Sequence, residues 1–315
     1  SHGYSTIDDT VTPAIKFTRE GYIFQDWGHN QPDNWGTFLL EVGKGIKADL
    51  PILEKDNNQP MPPGTILQEI ISYVASLRTE RLICRSIWEH RVAWSSYSTR
   101  RIVLAGLDQI EQVWPELVVD SKIHDYRLKT SLVQLEDAAG SLREKATEHF
   151  PADYTDVDGH ESVADLASLV VLNDIGLPEQ ERKEIITRAA LLENKLGFYR
   201  YIGDPWRQGR AEAKWTMGKP IMARHFFIHS RELSAAGKPR GAFRALDRGL
   251  ERIDDLLDIR TKNGGYIPEL FEDRAKQGYC PNNNELVWTL GYIIEAAAAG
   301  IIAKSEADQY QQKEV

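Results

Sequence analysis

The chain has 315 residues, enough to bury a substantial core without disulfides or a metal staple. Hydrophobic residues at 42% and charged residues at 27% are a globular composition and exclude a disordered chain. With 38 basic against 47 acidic residues the net charge is −9, which argues against a nucleic-acid backbone as partner, and two cysteines cannot build a disulfide framework or a four-thiolate zinc site.

Ser1-His2 resembles a tag remnant. Thr10 to Phe24 is expected to hold a short hairpin or strap, with Gly21 at a turn. From about Asn34 onward the apolar residues keep helical time, and the first helix is expected over 34–47. Between Thr65 and Arg78, Ile66, Leu67, Ile70, Ile71, Val74 and Leu77 form one stripe, with Pro62, Pro63 and Gly64 ahead of it and Thr65 as its cap. Ile102, Leu104, Leu107, Ile110 and Val113 make a second stripe, stopped by Pro115. Further helices are expected over 124–148, 162–173, 179–196, 209–232, 239–259, 284–300 and 304–313. Beyond the N-terminal strap no run alternates as a strand does. The apolar run from Ile293 to Ala303 is too short to span a bilayer, so no membrane partner is expected. The expectation is an all-α body, either a closed α/α toroid or a large irregular bundle, since no fixed-period repeat marks a solenoid.

Four loops carry aromatic and charged residues together, each ahead of an expected helix. They are Trp27-Gly28 with Gln31 and Asp33; Trp88-Glu89-His90; Arg200-Tyr201 with Asp204; and Gly264-Gly265-Tyr266-Ile267-Pro268-Glu269. In a toroid the loops at one end converge, so these four could line one cleft. A carboxyl beside an indole has its proton affinity raised by desolvation, which suits Glu89 to a general acid. Its plainer reading is an acid favoured by a helix N-terminus. Glu269 sits on a loop fixed by glycines and proline, as a general base requires; the plainer reading is a solvated acidic loop. Arg200 and Asp204 can grip sugar hydroxyls while Tyr201 packs on a pyranose face, or the pair can simply staple its loop. Trp94, Trp114 and Trp215 read as core or rim. His225 and His229, four apart on a helix, share a face but lack a third metal ligand, and no phosphate-binding, dinucleotide or hydrolase-elbow motif is present.

Taken in order, the four clusters resemble the active-site loops of glycoside hydrolase family 15, the glucoamylase family, in its bacterial and phosphorylase-kinase-α-like branches. Trp27, Gly28, Gln31 and Asp33 resemble the family's first segment, and Ile87-Trp88-Glu89 its Trp-Glu motif. Arg200, Tyr201 and Asp204 match its Arg-Tyr loop, and Glu269, Pro281, Asn282 and Trp288 its last loop and Trp-bearing helix. The resemblance covers about residues 14–300. It implies an (α/α)6 toroid over 1–315, with 1–33 as an irregular strap, and an inverting exo-acting α-glucosidase. Glu89 would be its general acid and Glu269 its general base. Trp27, Gln31, Asp33, Trp88, Arg200, Tyr201, Asp204 and Trp288 would contact an oligosaccharide or polysaccharide end. No metal or organic cofactor is implied. The family's module begins earlier than this chain does, so an incomplete toroid lacking N-terminal helices, with self-association through exposed faces, is expected. The rival reading is a non-catalytic carbohydrate-binding or regulatory protein that keeps the toroid.

Overall fold

The computed structural model describes residues 4–7, 10–13, 32–53, 63–77, 83–84, 94–95, 97–123, 127–145, 166–173, 176–200, 213–274, 278–282 and 287–313. Among them the chain is all-α in class, with ten helices and short antiparallel strands. It divides into two compact units, Ser1–Asp153 and Tyr154–Val315. No helix among the described residues is long and apolar enough to cross a membrane.

The first unit begins with a hairpin, β1 (Tyr4–Ile7) against β2 (Thr10–Pro13). β2 lies inside the expected strap, but its partner strand precedes that stretch. Five helices follow: α1 (Pro32–Lys47), α2 (Pro63–Ser76), α3 (Tyr97–Gln112), α4 (Trp114–Ile123) and α5 (Leu132–Glu144). Pro32 and Pro63 open their helices at a position where the missing N–H has no intrahelical partner. Thr65 therefore lies inside α2 instead of capping it. Ser131 caps α5 in a reciprocal box, with its hydroxyl accepting from the Gln134 N–H and the Gln134 side chain accepting from the Ser131 N–H. Pro115 ends one helix and sits at the second position of the next, where it costs no hydrogen bond.

Both expected stripes form the core of this unit. Leu67, Ile70, Ile71 and Val74 of α2, and Leu77 just after it, are buried with Leu107, Ile110 and Val113, while Ile66 faces outward. α1 and α3 pack without side chains at their crossing. A Cβ on Gly36 would stand 2.8 Å from the Val103 backbone, and one on Gly106 would stand 2.5 Å from the Gly36 carbonyl oxygen. Further along, a Cβ on Gly43 would meet the Gln109 side chain, and Lys47 Nζ donates to Gln112 at 3.2 Å. The contacts advance together along both helices, so α1 and α3 run parallel. Ahead of α3, β3 (Ile83–Cys84) pairs antiparallel with β4 (Trp94–Ser95).

The second unit opens with the short α6 (Ala167–Val170) and with α7 (Glu179–Leu192). Then come β5 (Glu193–Asn194), β6 (Gly197–Phe198) and β7 (Ala213–Trp215). α8 (Gly218–Ala235), α9 (Pro239–Lys262), β8 (Leu270–Arg274), β9 (Gly278–Asn282) and α10 (Val287–Lys313) complete it. The strands form one antiparallel sheet in the order β5-β6-β7-β8-β9. None of it was expected from periodicity: β5, β6 and β7 have only two or three residues each, and the five-residue β8 and β9 do not alternate apolar with polar residues.

α8 and α9 form an antiparallel hairpin. Lys219 at the start of α8 reaches Asp255 near the end of α9, and Ser230 Oγ donates to the Ala242 carbonyl. α8 and α10 instead run parallel: Arg224 pairs with Glu295 and Arg231 with Glu306. Two parallel helices with an antiparallel one joining them is the wall packing of an α/α toroid. α10 is continuous where two helices were expected. Gly300 interrupts nothing: a Cβ there would stand 3.0 Å from the Phe227 ring, so the glycine admits α8 instead of stopping α10.

Candidate functional site

In the second unit the sheet gathers the expected residues at the N-terminal end of α8. The register aligns Phe198 with Trp215 and Trp215 with Leu270. Arg200 leaves β6 two residues after Phe198, and its guanidinium carbon stands 5.6 Å from the centroid of the Trp215 ring. Its carbonyl accepts the Leu166 N–H at 2.6 Å, which ties the strand to the turn before α6. Arg200 is 8% exposed, so its charge is held largely out of water. A cation over an indole face in such surroundings is attracted by the ring quadrupole.

Glu269 lies one residue ahead of β8. The turn before it is set by Gly264 and Gly265, with φ of +70° and +97°, and Arg260 Nε donates to the Gly265 carbonyl at 2.9 Å. Only glycine occupies this left-handed region without strain. Pro268 and Glu269 are then fixed through their carbonyls. Thr216 Oγ1 donates to the Pro268 oxygen at 2.7 Å, and the Thr216 N–H donates to the Glu269 oxygen at 3.1 Å. Glu269 is partly exposed while its neighbours Ile267, Pro268 and Leu270 are buried. The result is a partly exposed acidic side chain on a pinned backbone, one residue ahead of Leu270, which pairs with Trp215. Such a group can accept a proton or orient a water at a fixed place.

Behind this cluster lies an ion network absent from the sequence expectations. Lys219, 3% exposed, donates to Glu193 at 3.2 Å and to Asp255 at 2.7 Å. Arg252 donates to the other oxygen of Glu193 at 2.6 Å and lies 4.6 Å over the Phe226 ring. The only sequence signal was a lysine in the first turn of an apolar helix, where a cation is disfavoured by the dipole unless paired.

In the first unit Asp33 occupies the first turn of α1 and is 3% exposed. Its Oδ1 has no hydrogen-bond partner among the described residues. Burial pushes its carboxyl up to about 7, with a hydrogen bond from its own backbone N–H pulling partly the other way. The indole N–H of Trp35 is likewise buried without a partner, with its ring edge-on to Phe38 at 6.3 Å. The parallel packing places the start of α3 level with the start of α1. There Tyr97, Ser98, Thr99 and Arg100 are all buried, and Arg100 is the largest fully buried side chain among the described residues.

Trp27, Gln31, Trp88, Glu89, Tyr201 and Asp204 lie outside the described residues. Trp288 is in the first turn of α10, and its side chain is also outside the description. Trp215, read from sequence as core or rim, is the residue on which Arg200 stacks. His225 and His229 do share a helix face, stacked at 6.0 Å, and no group of three metal-ligating side chains occurs among the described residues.

No protein-family model matches the chain, and no curated protein matches it by sequence. Among solved structures it is similar to a glycosidase with a TM-score of 0.59 at 16% identity, covering 92% of this chain and 72% of that one. A glycosyl hydrolase family 88 protein from Bacteroides vulgatus aligns with a TM-score of 0.43 at 12% identity, over 86% of this chain and 75% of that one. The first likeness establishes a shared fold.

Proposed function

We propose that the chain is a glycoside hydrolase, and more narrowly an inverting, exo-acting α-glucosidase of the glucoamylase type. Residues 1–315 would form one glucoamylase-like domain. The observation that carries the reading is the Arg200–Trp215–Glu269 arrangement at the head of α8, on a fold shared with a glycosidase. A charged donor held in place by an indole and an acidic side chain on a pinned backbone are groups of the kind that fix a sugar's hydroxyls.

Inversion needs two carboxyls. In this proposal Glu89, beside Trp88, protonates the leaving oxygen. Glu269 takes a proton from the water that attacks the anomeric carbon on the opposite face. The covalent balance is simple: the C1–O bond breaks, a C1–OH bond forms, and the two carboxyls exchange roles as proton holders. Trp27, Gln31, Asp33, Trp88, Arg200, Tyr201, Asp204 and Trp288 would hold the terminal sugar.

The test is turnover of maltose, isomaltose and longer α-glucans by the wild type, Glu89→Gln and Glu269→Gln, with the anomer released read by proton NMR. The expected result is β-glucose from the wild type. Each variant should lose turnover by about 10²-fold or more while still binding sugar. Release of the α-anomer would overturn inversion, and a near-normal rate in either variant would overturn that residue's role. Sugar binding without turnover in the wild type would favour the carbohydrate-binding, regulatory reading.

A further inference from the structure

We infer that Lys219 is a positioning residue for the Arg200–Glu269 site, an inference that rests on the glycosidase reading. The lysine lies in the first turn of α8, and three segments meet on it. Through Glu193 its ammonium holds β5, the first strand of the hairpin whose second strand leads to Arg200. Through Asp255 it holds the last turns of α9, which feed the Gly264-Gly265 turn and Glu269. Through its own N–H it donates to the Thr216 carbonyl at 3.0 Å, and Thr216 is the residue that pins Pro268 and Glu269. The ammonium also stands 6.0 Å from the Phe198 ring centroid, in register with Trp215.

Two cations, Lys219 and Arg252, balance two carboxylates, Glu193 and Asp255, in surroundings where water screens little. Without Lys219, Glu193 keeps Arg252 while Asp255 loses the ammonium it faces. The two carboxylates repel across the junction that sets the spacing of β5, α8 and α9. Neither of the site's own groups need be touched for its geometry to change. A shift on the scale of an ångström at a reacting group lowers rates strongly.

The experiment compares Lys219→Met, Lys219→Arg and Asp255→Asn in the full chain. Amide hydrogen exchange is read by mass spectrometry, alongside maltose kinetics. Met keeps the apolar stem over Phe198 and removes only the charge. The expected result is exchange protection lost selectively over 197–200, 214–217 and 266–271 in Lys219→Met. The later turns of α8 and α10 and the whole first unit should keep theirs. kcat should fall about tenfold or more, with a smaller change in KM. Lys219→Arg should recover at least half of the lost rate, and Asp255→Asn should fall between the two. Unchanged protection in those three segments overturns the inference. So does a uniform loss across α8, α9 and α10, because Lys219 would then serve only overall stability. Should the wild type neither bind nor turn over sugar, the glycosidase reading fails, while the exchange pattern still decides whether Lys219 orders the two segments. If Lys219→Met does not fold, Asp255→Asn carries the same comparison.

Discussion

The guanidinium of Arg200 and the indole of Trp215 face each other at 5.6 Å, across two adjacent strands and with both side chains largely buried. Arg200→Ala removes the cation from the ring and leaves any bound hydroxyl without a charged donor. The expected cost in sugar affinity is about 1.5–3 kcal/mol, or roughly tenfold or more. Arg200→Lys should recover little, since an ammonium cannot stack its plane on the ring. Titration calorimetry with glucose, maltose and isomaltose checks this, and equal binding by Arg200→Ala would show that the loop is only structural.

Asp33 should make the protein less stable as pH rises. Its folded carboxyl titrates near 7 against an ordinary value of 3.8. Between those values the unfolded chain has released a proton that the folded chain still holds. Stability therefore falls from about pH 4 to about pH 7 and levels off above. Asp33→Asn should lose this slope, gaining on the wild type by up to about 4 kcal/mol at pH 8 and by little at pH 4. Denaturant unfolding across that range is the measurement, and parallel pH curves for the two proteins would contradict it.

His225 acts in the opposite direction. Desolvation, then His229 and Arg182, lower it to about 4 from an ordinary 6.5, although Glu232 pulls the other way. Between those values the unfolded chain holds the extra proton. The stability that the neutral ring contributes is thus complete above about pH 6.5 and is lost as pH falls toward 4. His225→Leu should flatten the acid limb of the melting curve. A wild-type acid limb that persists unchanged in that variant would place its cause elsewhere.

The α1–α3 crossing should not accept a methyl group. Gly36→Ala would put its Cβ against the Val103 backbone and Gly106→Ala against the Gly36 carbonyl, each at an expected cost of about 1–3 kcal/mol. Gly140→Ala in α5 meets nothing within 4 Å and should stabilise by about 0.5–1 kcal/mol. Chemical denaturation of the three variants checks the contrast. Tolerance at Gly36 would mean that the two helices do not approach this closely.

The helices could be read from sequence because each stripe is local. A period of apolar residues over a dozen positions identifies the buried face without knowledge of its partner, as it did for Leu67 to Leu77. Arg200 and Glu269 could be picked out for a similar reason, as charged residues next to aromatic or glycine-fixed loops that no helical stripe explains. The sheet and the Trp215 contact could not, since β6 and β7 have only two or three residues and the longer β8 and β9 do not alternate. The break expected between 300 and 304 does not occur, and Gly300 there admits the Phe227 ring of a neighbouring helix.

By itself the sequence determined an all-α chain and the faces its helices bury. The tertiary structure alone decided that Thr216 would grip a carbonyl 52 residues away, and that Glu193 would join Lys219 and Arg252 at separations of 26 and 59. It also decided that Asp33 would be buried enough to hold its proton near neutrality. The physical reason is the range of the interactions. Helix propensity and amphipathicity act within a few turns of one segment. Desolvation and ion pairing, by contrast, depend on which distant segments close over a group, and no local pattern records that.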